Sequence, residues 1–276
     1  MQEILVPSAD GHRVRAFFSG RDAQKPTVTF VLPFGSKFDM ARPFLTELAG
    51  PFNVVTWEAR IIVDDPELHP DVDAITPQMH VADMISVLSR LEIPRTDVIG
   101  YCSGAGISLL AAHEHPDRFG RLALVSGEYV LPPSVCARTR FQNDLDELLV
   151  FAATSKAHTA AIFSKLTPRE VPEGDTVLAG AALPFSRPEY LHRFAVNYIS
   201  YRKMEFLRIA PEVEHRALVI VGERDEQVTV RSSELIQGKL RRSELRLDPV
   251  ADHHDVCRAV TPINRAVVEF LSLEPS

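Results

Sequence analysis

The stretch DVIGYCSGAGISLL, residues 97–110, decides the fold of this 276-residue chain. Its first half is apolar and typical of a buried strand, and its second half is rich in small and apolar residues, which favours a helix packed closely on a sheet. A sharp turn from strand to helix leaves little room for side chains two positions before and after the residue at its tip. Gly100 and Gly104 meet that condition around Cys102, whereas Ser103 is flanked by side chains at both positions. The glycines therefore predict that Cys102 lies at the tip and acts as a nucleophile.

Short apolar runs recur along the rest of the chain, and helical patterns separate most of them. The runs do not alternate strictly between apolar and polar residues, as expected for strands covered on both faces. Strands alternating with helices predict an α/β fold with a mostly parallel sheet, and such sheets bind ligands at the carboxyl ends of their strands. The predicted strands are TVTFVL, NVVTWE, DVIGY, RLALVSG, ALVIVG and LRLDPV, after a β-hairpin in EILVPSADGHRVRAFFSG.

The interval 132–214 departs from this alternation. It contains helical patterns, aromatic residues and prolines, but no convincing core strand. We therefore predict a core formed by residues 1–131 and 215–276, and a helical lid or cap formed by residues 132–214. Aromatic residues recur every three to four positions in the lid, a pattern that is typical of packing and that also fits a substrate-facing surface. These aromatic residues are Tyr190, Phe194, Tyr198 and Tyr201.

The composition excludes several classes of partner. With a net charge of -7 and no dense basic run, the chain is not expected to bind nucleic acid or an anionic membrane. No apolar stretch has the length needed to span a bilayer, and the first residues lack the pattern of a secretory signal. Three cysteines are too few, and odd in number, for a disulfide framework, which favours a reducing compartment. We expect a soluble, cytoplasmic protein.

The sequence contains no convincing metal site. His113 and His115 are the nearest candidates, but residues two positions apart on a helix do not share a face and so cannot readily bind one zinc ion together. We therefore expect neither a metal ion nor a cofactor of the chain's own.

A cysteine nucleophile needs a base, and in this arrangement a carboxylate and then a histidine follow the nucleophile along the chain. Asp225 follows the predicted strand ALVIVG, and the adjacent His253 and His254 follow the last strand. We predict a triad of Cys102, His253 and Asp225, because a histidine beside a cysteine can form a thiolate–imidazolium pair. Two alternatives stay open: His254 in place of His253, and Glu128, which also follows a strand, in place of Asp225.

The oxyanion that forms when a thiol attacks a carbonyl group needs hydrogen-bond donors. Backbone N–H groups are suited to this role because they are oriented before the reaction begins. We predict that one donor is the amide of Ser103, at the positive end of the helix dipole. The second is predicted in the loop VLPFGSKF, at Gly35 or Phe34, with Gly35 allowing the substrate to approach the backbone closely.

With nucleophile, acid, histidine and oxyanion loop in this arrangement, the sequence resembles the α/β-hydrolase superfamily over most of its length except the lid. Within it, LPFGSKFDMARPF, VVTWEAR and GYCSGAG are similar to the cysteine acyltransferases of nonribosomal peptide pathways. The resemblance implies an α/β-hydrolase fold and a transferase that moves acyl or aminoacyl groups between the phosphopantetheine arms of acyl or peptidyl carrier domains. The chain departs from many relatives at two places, where Pro33-Phe34 replaces His-Gly and Arg60-Ile61 replaces Arg-Gly.

A cysteine at this position favours transfer. An acyl group that passes from a thioester to Cys102 and on to another thiol remains a thioester, so the exchange is nearly isoenergetic and reversible. A serine would form a more stable oxyester, which suits hydrolysis. The alternatives are a cysteine-dependent thioesterase or lactone hydrolase, similar in its nucleophile to the dienelactone hydrolases, and a binding protein that has kept the fold without turnover.

Overall fold

The structure is a computed structural model that describes residues 1–60, 74–167 and 170–273. Within these residues one sheet is formed by β1 (Gln2–Pro7), β2 (Arg13–Phe18), β3 (Thr27–Val31), β4 (Asn53–Trp57), β5 (Thr96–Tyr101), β6 (Phe119–Val125), β7 (Ala217–Gly222) and β8 (Ser243–Asp248). The strand order is β1-β2-β4-β3-β5-β6-β7-β8. Strand β2 is antiparallel to both of its neighbours, and the remaining pairs are parallel. The predicted α/β fold with a mostly parallel sheet is confirmed.

Helices cover both faces of this sheet. In the described residues they are α1 (Arg42–Leu48), α2 (Pro77–Arg90), α3 (Ser103–Glu114), α4 (Arg140–Ala152), α5 (Lys156–Phe163), α6 (Thr176–Ala182), α7 (Pro188–Tyr201), α8 (Phe206–Ile209), α9 (Val230–Gln237) and α10 (Pro262–Ser272). Apolar residues of α1 and α10 belong to one core cluster, whereas those of α2, α3 and α9 belong to a second one. Two core layers are therefore separated by the sheet.

The central strand β5 shows why its sequence is apolar without alternation. It lies between β3 and β6, and its neighbouring residues Val98 and Ile99 contribute to the two different core clusters. Both side chains are at most 1% exposed, and full burial of an aliphatic side chain of this size contributes roughly 1.5–3 kcal/mol. The strand therefore holds the turn that follows it rigidly in the middle of the molecule.

The described residues between β6 and β7 contain helices and no strand. We call α4, α5, α6 and α7 the lid helices. The start of α4 is capped reciprocally, because the Gln142 amide donates to Thr139 Oγ1 at 3.0 Å and the Thr139 amide donates to Gln142 Oε1 at 2.9 Å. Thr139 Oγ1 also donates to the Gln227 carbonyl at 3.1 Å, which attaches this end of α4 to the loop after β7.

Arg60 is the described half of the Arg60-Ile61 pair, since Ile61 lies outside the described residues. Its guanidinium is 2% exposed and donates to Asp83 Oδ2 at 2.9 Å and to Asp10 Oδ2 at 2.5 Å. Breaking a buried ion pair by removing one partner costs about 3–5 kcal/mol. Arg60 therefore holds the loop between β1 and β2 against helix α2.

Candidate active site

Cys102 occupies the turn between β5 and α3. Its φ of 54° and ψ of -123° lie outside the usual regions for a residue with a side chain, a conformation that costs on the order of 1–3 kcal/mol and is concentrated at active sites. The strain is held in place by the backbone, because the Cys102 amide donates to the Val125 carbonyl at 3.0 Å and the Cys102 carbonyl accepts from the Ala105 and Glu128 amides at 3.0 and 3.1 Å. The thiol is thereby presented at the carboxyl end of the central strand.

The glycines on either side of Cys102 are required by close packing. A Cβ atom at Gly104 would lie 2.2 Å from the Val31 carbonyl oxygen, and one at Gly100 would lie 2.7 Å from Ala105 Cα. Both contacts involve backbone atoms of neighbouring elements, which cannot move without displacing β3 or α3. Gly100 and Gly104 thus leave Cys102 at the tip of the turn, as the sequence predicts.

His253 and Asp225 are brought together from two different loops. The Nδ1 atom of His253 lies 2.8 Å from Oδ2 of Asp225, and the two side chains are 4% and 0% exposed. The other carboxylate oxygen, Oδ1, accepts from the amides of Gln227 and Val228 at 2.9 and 3.0 Å. Burial opposes the charge on Asp225, but His253 and these two amides outweigh it and lower its pKa. The carboxylate is therefore positioned to orient the imidazole and to stabilise its protonated form.

The electrostatics of His253 connect it to Cys102. Burial alone would lower the pKa of the imidazole, but the adjacent Cys102 and Asp225 raise it to about 10, each through charge and a hydrogen bond. Nδ1 is occupied by Asp225, so Nε2 is the atom left to face the thiol. A histidine held in its charged form beside a cysteine favours the thiolate–imidazolium pair that activates a thiol nucleophile.

The two alternatives left open by the sequence are placed differently. His254 Nδ1 lies 2.8 Å from the Tyr101 hydroxyl and its Nε2 lies 2.9 Å from Gln227 Nε2; burial, and then His253, lower its pKa to about 4. The Glu128 carboxylate accepts hydrogen bonds from Val130 and Gln142, and Asp225 holds the histidine. Of these candidates, the geometry brings together His253 and Asp225.

The predicted oxyanion donors lie around the same turn. In the part of the chain that the structure describes, the Ser103 amide at the start of α3 has no hydrogen-bond partner. The Phe34 amide, in contrast, donates to Ser103 Oγ at 2.9 Å, so the Ser103 hydroxyl has a structural contact that the sequence did not reveal. Ser103 and Phe34 both line the cavity described below. Their role as donors stays a prediction.

Gly35 differs from its expected role. It has a φ of +78°, a conformation that favours glycine, but the space above it is taken by the lid. A Cβ atom there would lie 2.5 Å from Cγ of Pro184 and 3.6 Å from the Phe194 ring. Gly35 allows a lid residue, rather than a substrate, to approach its backbone closely, and its part in the oxyanion site stays a prediction.

A cavity of about 120 Å³ opens beside Cys102. One water needs about 10–15 Å³ of such volume, so the cavity has space for a small organic group. Its first wall comes from the sheet and its loops, and includes Cys102, Ser103, His253 and Glu128. The second wall comes from the lid helices and the segments beside them, and is mainly apolar and aromatic. It includes Phe141, Leu145, Pro184, Phe194, Tyr198 and Tyr201.

Tyr201 has a role that sequence reasoning missed. It belongs to the aromatic pattern of α7, and its ring does pack, against Phe34 and Phe206. Its hydroxyl also donates to the carbonyls of Ser103 at 3.2 Å and Glu128 at 2.5 Å. The three-to-four-residue spacing of aromatics was the available signal, but it did not reveal the polar end of the side chain. Tyr201 thus connects the lid to the turn that carries Cys102.

Neither a metal cluster nor a membrane-spanning helix occurs in the described part of the chain. Within it, no group of three or more His, Cys, Asp or Glu side chains is arranged to hold a metal ion. No helix among these residues is both long and apolar enough to cross a bilayer.

The fold, the strained Cys102 turn and the histidine–carboxylate pair at the strand ends define a class of protein. A family model described as the alpha/beta hydrolase fold matches residues 76–257, and the chain belongs to this family. It is 25% identical over 264 residues to the L-allo-isoleucyltransferase of Pseudomonas savastanoi pv. glycinea, covering 91% of this chain and 88% of that protein. It is 26% identical over 198 residues to the putative carbamate hydrolase RutD of Caulobacter vibrioides (strain NA1000 / CB15N), covering 70% of this chain and 71% of that one.

Solved structures agree on the fold. A hydrolase from Pseudomonas aeruginosa PA01 superposes with a TM-score of 0.76 at 20% identity, covering 98% of both chains. The enol-lactonase from Burkholderia xenovorans LB400 gives a TM-score of 0.74 at 17% identity, covering 98% of this chain and 100% of that one. Identities this low establish the α/β-hydrolase architecture and leave the reaction to be argued from the site.

Proposed function

We propose that the protein is an acyltransferase, most specifically an aminoacyltransferase, that moves a thioester-bound group between the phosphopantetheine arms of carrier proteins. The observation that carries this proposal is the Cys102 thiol in a strained strand-to-helix turn, beside a histidine that is itself paired with a buried carboxylate. The similarity to an L-allo-isoleucyltransferase over 91% of the chain supports the same reaction class.

In the proposed first half-reaction, the Cys102 thiolate attacks the carbonyl carbon of the donor thioester. The electron pair of the carbonyl bond moves to oxygen, and the Ser103 amide donates a hydrogen bond to this oxyanion. The oxyanion then collapses, the carbon–sulfur bond to the donor arm breaks, and the departing thiolate takes the proton from His253. The products are an acyl-Cys102 thioester and the free thiol of the donor carrier.

In the second half-reaction the neutral His253 accepts the proton of an acceptor thiol, which attacks the acyl-Cys102 carbonyl. The Cys102–acyl bond breaks and the thiolate–imidazolium pair is restored. One thioester is broken and one is formed in each half, so no external energy source is needed. The mainly apolar lid wall is suited to limiting access of water, which would otherwise hydrolyse the acyl-enzyme.

The partners and location follow from this chemistry and form part of the proposal. The substrates are carried on the phosphopantetheine of partner proteins, so the chain needs no cofactor of its own. Its three free cysteines and its thiol nucleophile suit the reducing conditions of the cytoplasm.

A second candidate is a cysteine-dependent hydrolase acting on thioesters or lactones. The similarity to RutD over 70% of the chain favours it, and the same site would serve, with water in place of the acceptor thiol. The two candidates share acyl-Cys102 and differ in what removes the acyl group.

The test uses two carrier proteins that differ in mass, a donor loaded with an L-allo-isoleucyl group and an acceptor with a free phosphopantetheine thiol. Intact-protein mass spectrometry follows the enzyme and both carriers with time. We expect an adduct on the wild type and on Ser103→Ala, no adduct on Cys102→Ala, and appearance of the group on the acceptor. Free amino acid without a loaded acceptor would select the hydrolase, and an adduct on Cys102→Ala but not on Ser103→Ala would overturn the assignment of the nucleophile.

A further inference from the structure

The backbone of Glu128 is fixed next to the turn that carries Cys102. Its amide donates to the Cys102 carbonyl at 3.1 Å, and its own carbonyl accepts from the Tyr201 hydroxyl at 2.5 Å. Tyr201 also donates to the Ser103 carbonyl, so one tyrosine joins both segments. The Glu128 side chain therefore starts from a well-defined point beside the nucleophile.

Glu128 forms part of the cavity wall that also contains Cys102 and His253. Its Oε1 atom accepts from the Val130 amide and from Gln142 Nε2, both at 3.0 Å, and Oε2 accepts from the same Gln142 nitrogen at 3.0 Å. Both donors are neutral. Burial raises the pKa of the carboxyl group, and the two hydrogen bonds, together with the positive charges of His253 and Arg138, offset this only in part.

The positive charges of His253 and Arg138 act on Glu128, but within the described residues its side-chain hydrogen bonds come from Gln142 and the Val130 amide. Arg138, which lines the same cavity, has its Nη1 atom 3.3 Å from Asp146. A carboxylate has about four acceptor positions, and the contacts from Gln142 and Val130 leave capacity on Oε2. The Glu128 carboxylate thus receives its hydrogen bonds from neutral groups and can accept one more from a cationic group that enters the cavity.

We propose that Glu128 binds the α-ammonium group of an aminoacyl group carried on Cys102. This inference rests on the proposed transfer reaction. In an aminoacyl thioester the ammonium nitrogen is attached to the carbon next to the carbonyl, so it is confined to the neighbourhood of the Cys102 sulfur. Glu128 lines the same cavity. An ammonium group donates up to three hydrogen bonds, and its positive charge strengthens those that it gives to a carboxylate.

A purely structural role for Glu128 makes a different prediction. Its hydrogen bonds to Gln142 attach helix α4 to the core, and Glu128→Gln keeps the size and shape of the side chain while removing its charge. A structural role predicts that this change alters thermal stability without altering which acyl group is accepted. The proposed role predicts that it alters the preference between charged and uncharged acyl groups.

The probes are two N-acetylcysteamine thioesters with the same carbon skeleton, L-isoleucyl and 3-methylpentanoyl, of which only the first has an α-ammonium group. Rates of acyl-Cys102 formation are measured by intact mass for the wild type, Glu128→Gln and Glu147→Gln, and Cys102→Ala gives the background. Glu147 is an exposed carboxylate on the same helix, α4, and serves as the matched control. The ratio of the two rates is compared between enzymes, so the intrinsic reactivities of the thioesters cancel.

We expect the isoleucyl-to-methylpentanoyl ratio of the acylation rates to fall about 30-fold or more in Glu128→Gln and to remain at the wild-type value in Glu147→Gln. A ratio in Glu128→Gln within threefold of the wild type would overturn the proposal while leaving transfer at Cys102 intact. If Glu128→Gln does not fold, Glu128→Asp replaces it, because it keeps the charge but shortens the side chain by one methylene group. An unchanged ratio of acylation rates in Glu128→Asp would equally overturn the proposal. A wild type that iodoacetamide alkylates at Cys102, but that neither thioester acylates, would overturn the transferase itself.

Discussion

The two walls of the cavity are built differently. The sheet wall is held by backbone hydrogen bonds around Cys102 and by the buried pair of His253 and Asp225, whose side chains are at most 4% exposed. The lid wall consists of side chains from α4 and α7 and from the segment after α6, held mainly by packing and by a few polar contacts such as those of Gln142 and Tyr201. The sheet wall therefore holds the groups proposed to carry out the chemistry, whereas the lid wall shapes the apolar side of the cavity.

The largest effect is expected on the sheet wall, at Cys102. Cys102→Ala removes the proposed nucleophile and should abolish the covalent acyl-enzyme, because no other thiol lines the cavity in the described residues. Ser103→Ala is the matched control, since it removes the neighbouring hydroxyl and keeps the backbone amide. Intact mass after incubation with a loaded carrier checks both, and an acylated Cys102→Ala protein would contradict the assignment.

The second largest effect is expected for the change Asp225→Asn. The change retains the shape of the side chain but removes the charge that orients and stabilises the His253 imidazolium, and the acylation rate should fall on the order of 1,000-fold. Rapid-quench measurement of acyl-Cys102 formation checks this. Asp144→Asn, on the exposed face of α4, should leave the rate unchanged, and a loss in Asp225→Asn of less than about fivefold would show that another group performs this role.

Stability should depend on pH at the contact between helix α2 and the lid helix α7. His80 of α2 is buried, and its Nε2 lies 2.8 Å from Oδ1 of Asn197 on α7; burial lowers the pKa of its imidazole to about 4, although Asn197 opposes the shift. Because the folded protein binds this proton less readily than the unfolded chain, His80 has no effect above pH about 6.5 and weakens the fold as the pH falls towards 4.

From pH 8 to pH 5 this histidine should lower the free energy of unfolding by about 2 kcal/mol, by the usual linkage relation. Urea denaturation at both pH values checks it. In His80→Gln the loss between the two pH values should be smaller by that amount, whereas in His158→Gln, a change at an exposed position of α5, it should equal that of the wild type. Equal losses in all three proteins would contradict this prediction.

The smallest effect is expected where the lid rests on the core. A Cβ atom at Gly35 would clash with Pro184, and the φ of +78° is unfavourable for alanine. Gly35→Ala should therefore lower the free energy of unfolding by about 1–2 kcal/mol and loosen the lid, which should increase hydrolysis of acyl-Cys102. Gly174→Ala isolates the backbone cost, since that glycine also has a positive φ but has open space around its Cβ position. Equal hydrolysis rates in the two variants would argue against the clash.

The strand ends around the site could be predicted from the sequence more fully than the contacts of the lid. The strand ends are recognisable locally, from apolar runs followed by Cys102, Asp225 and His253, and a parallel sheet necessarily collects such positions at one edge. The mostly parallel sheet and the family agree with that expectation, whereas the strand order was not predicted. Helical patterns in the lid were also recognisable from the spacing of apolar residues.

What the helices of the lid do could not be predicted, because their rotation and tilt over the sheet depend on packing between distant segments. The contact between Gln142 and Glu128 joins residues on α4 and after β6, and no local pattern indicates it. Glu128 was recognisable only as a carboxylate after a strand, which suggested a different role for it. Gly35 suggested space for substrate because the sequence did not place Pro184 above it.

The most direct test of the central claim is the partitioning of isolated acyl-Cys102 enzyme between a thiol and water. The enzyme is acylated with L-isoleucyl N-acetylcysteamine thioester, freed of reagent, and mixed with an acceptor carrier protein that has a free phosphopantetheine thiol, or with buffer alone. The account predicts that the isoleucyl group appears on the carrier much faster than acyl-Cys102 decays in buffer. Release of free isoleucine at the same rate with and without the carrier, and no loaded carrier, would contradict it.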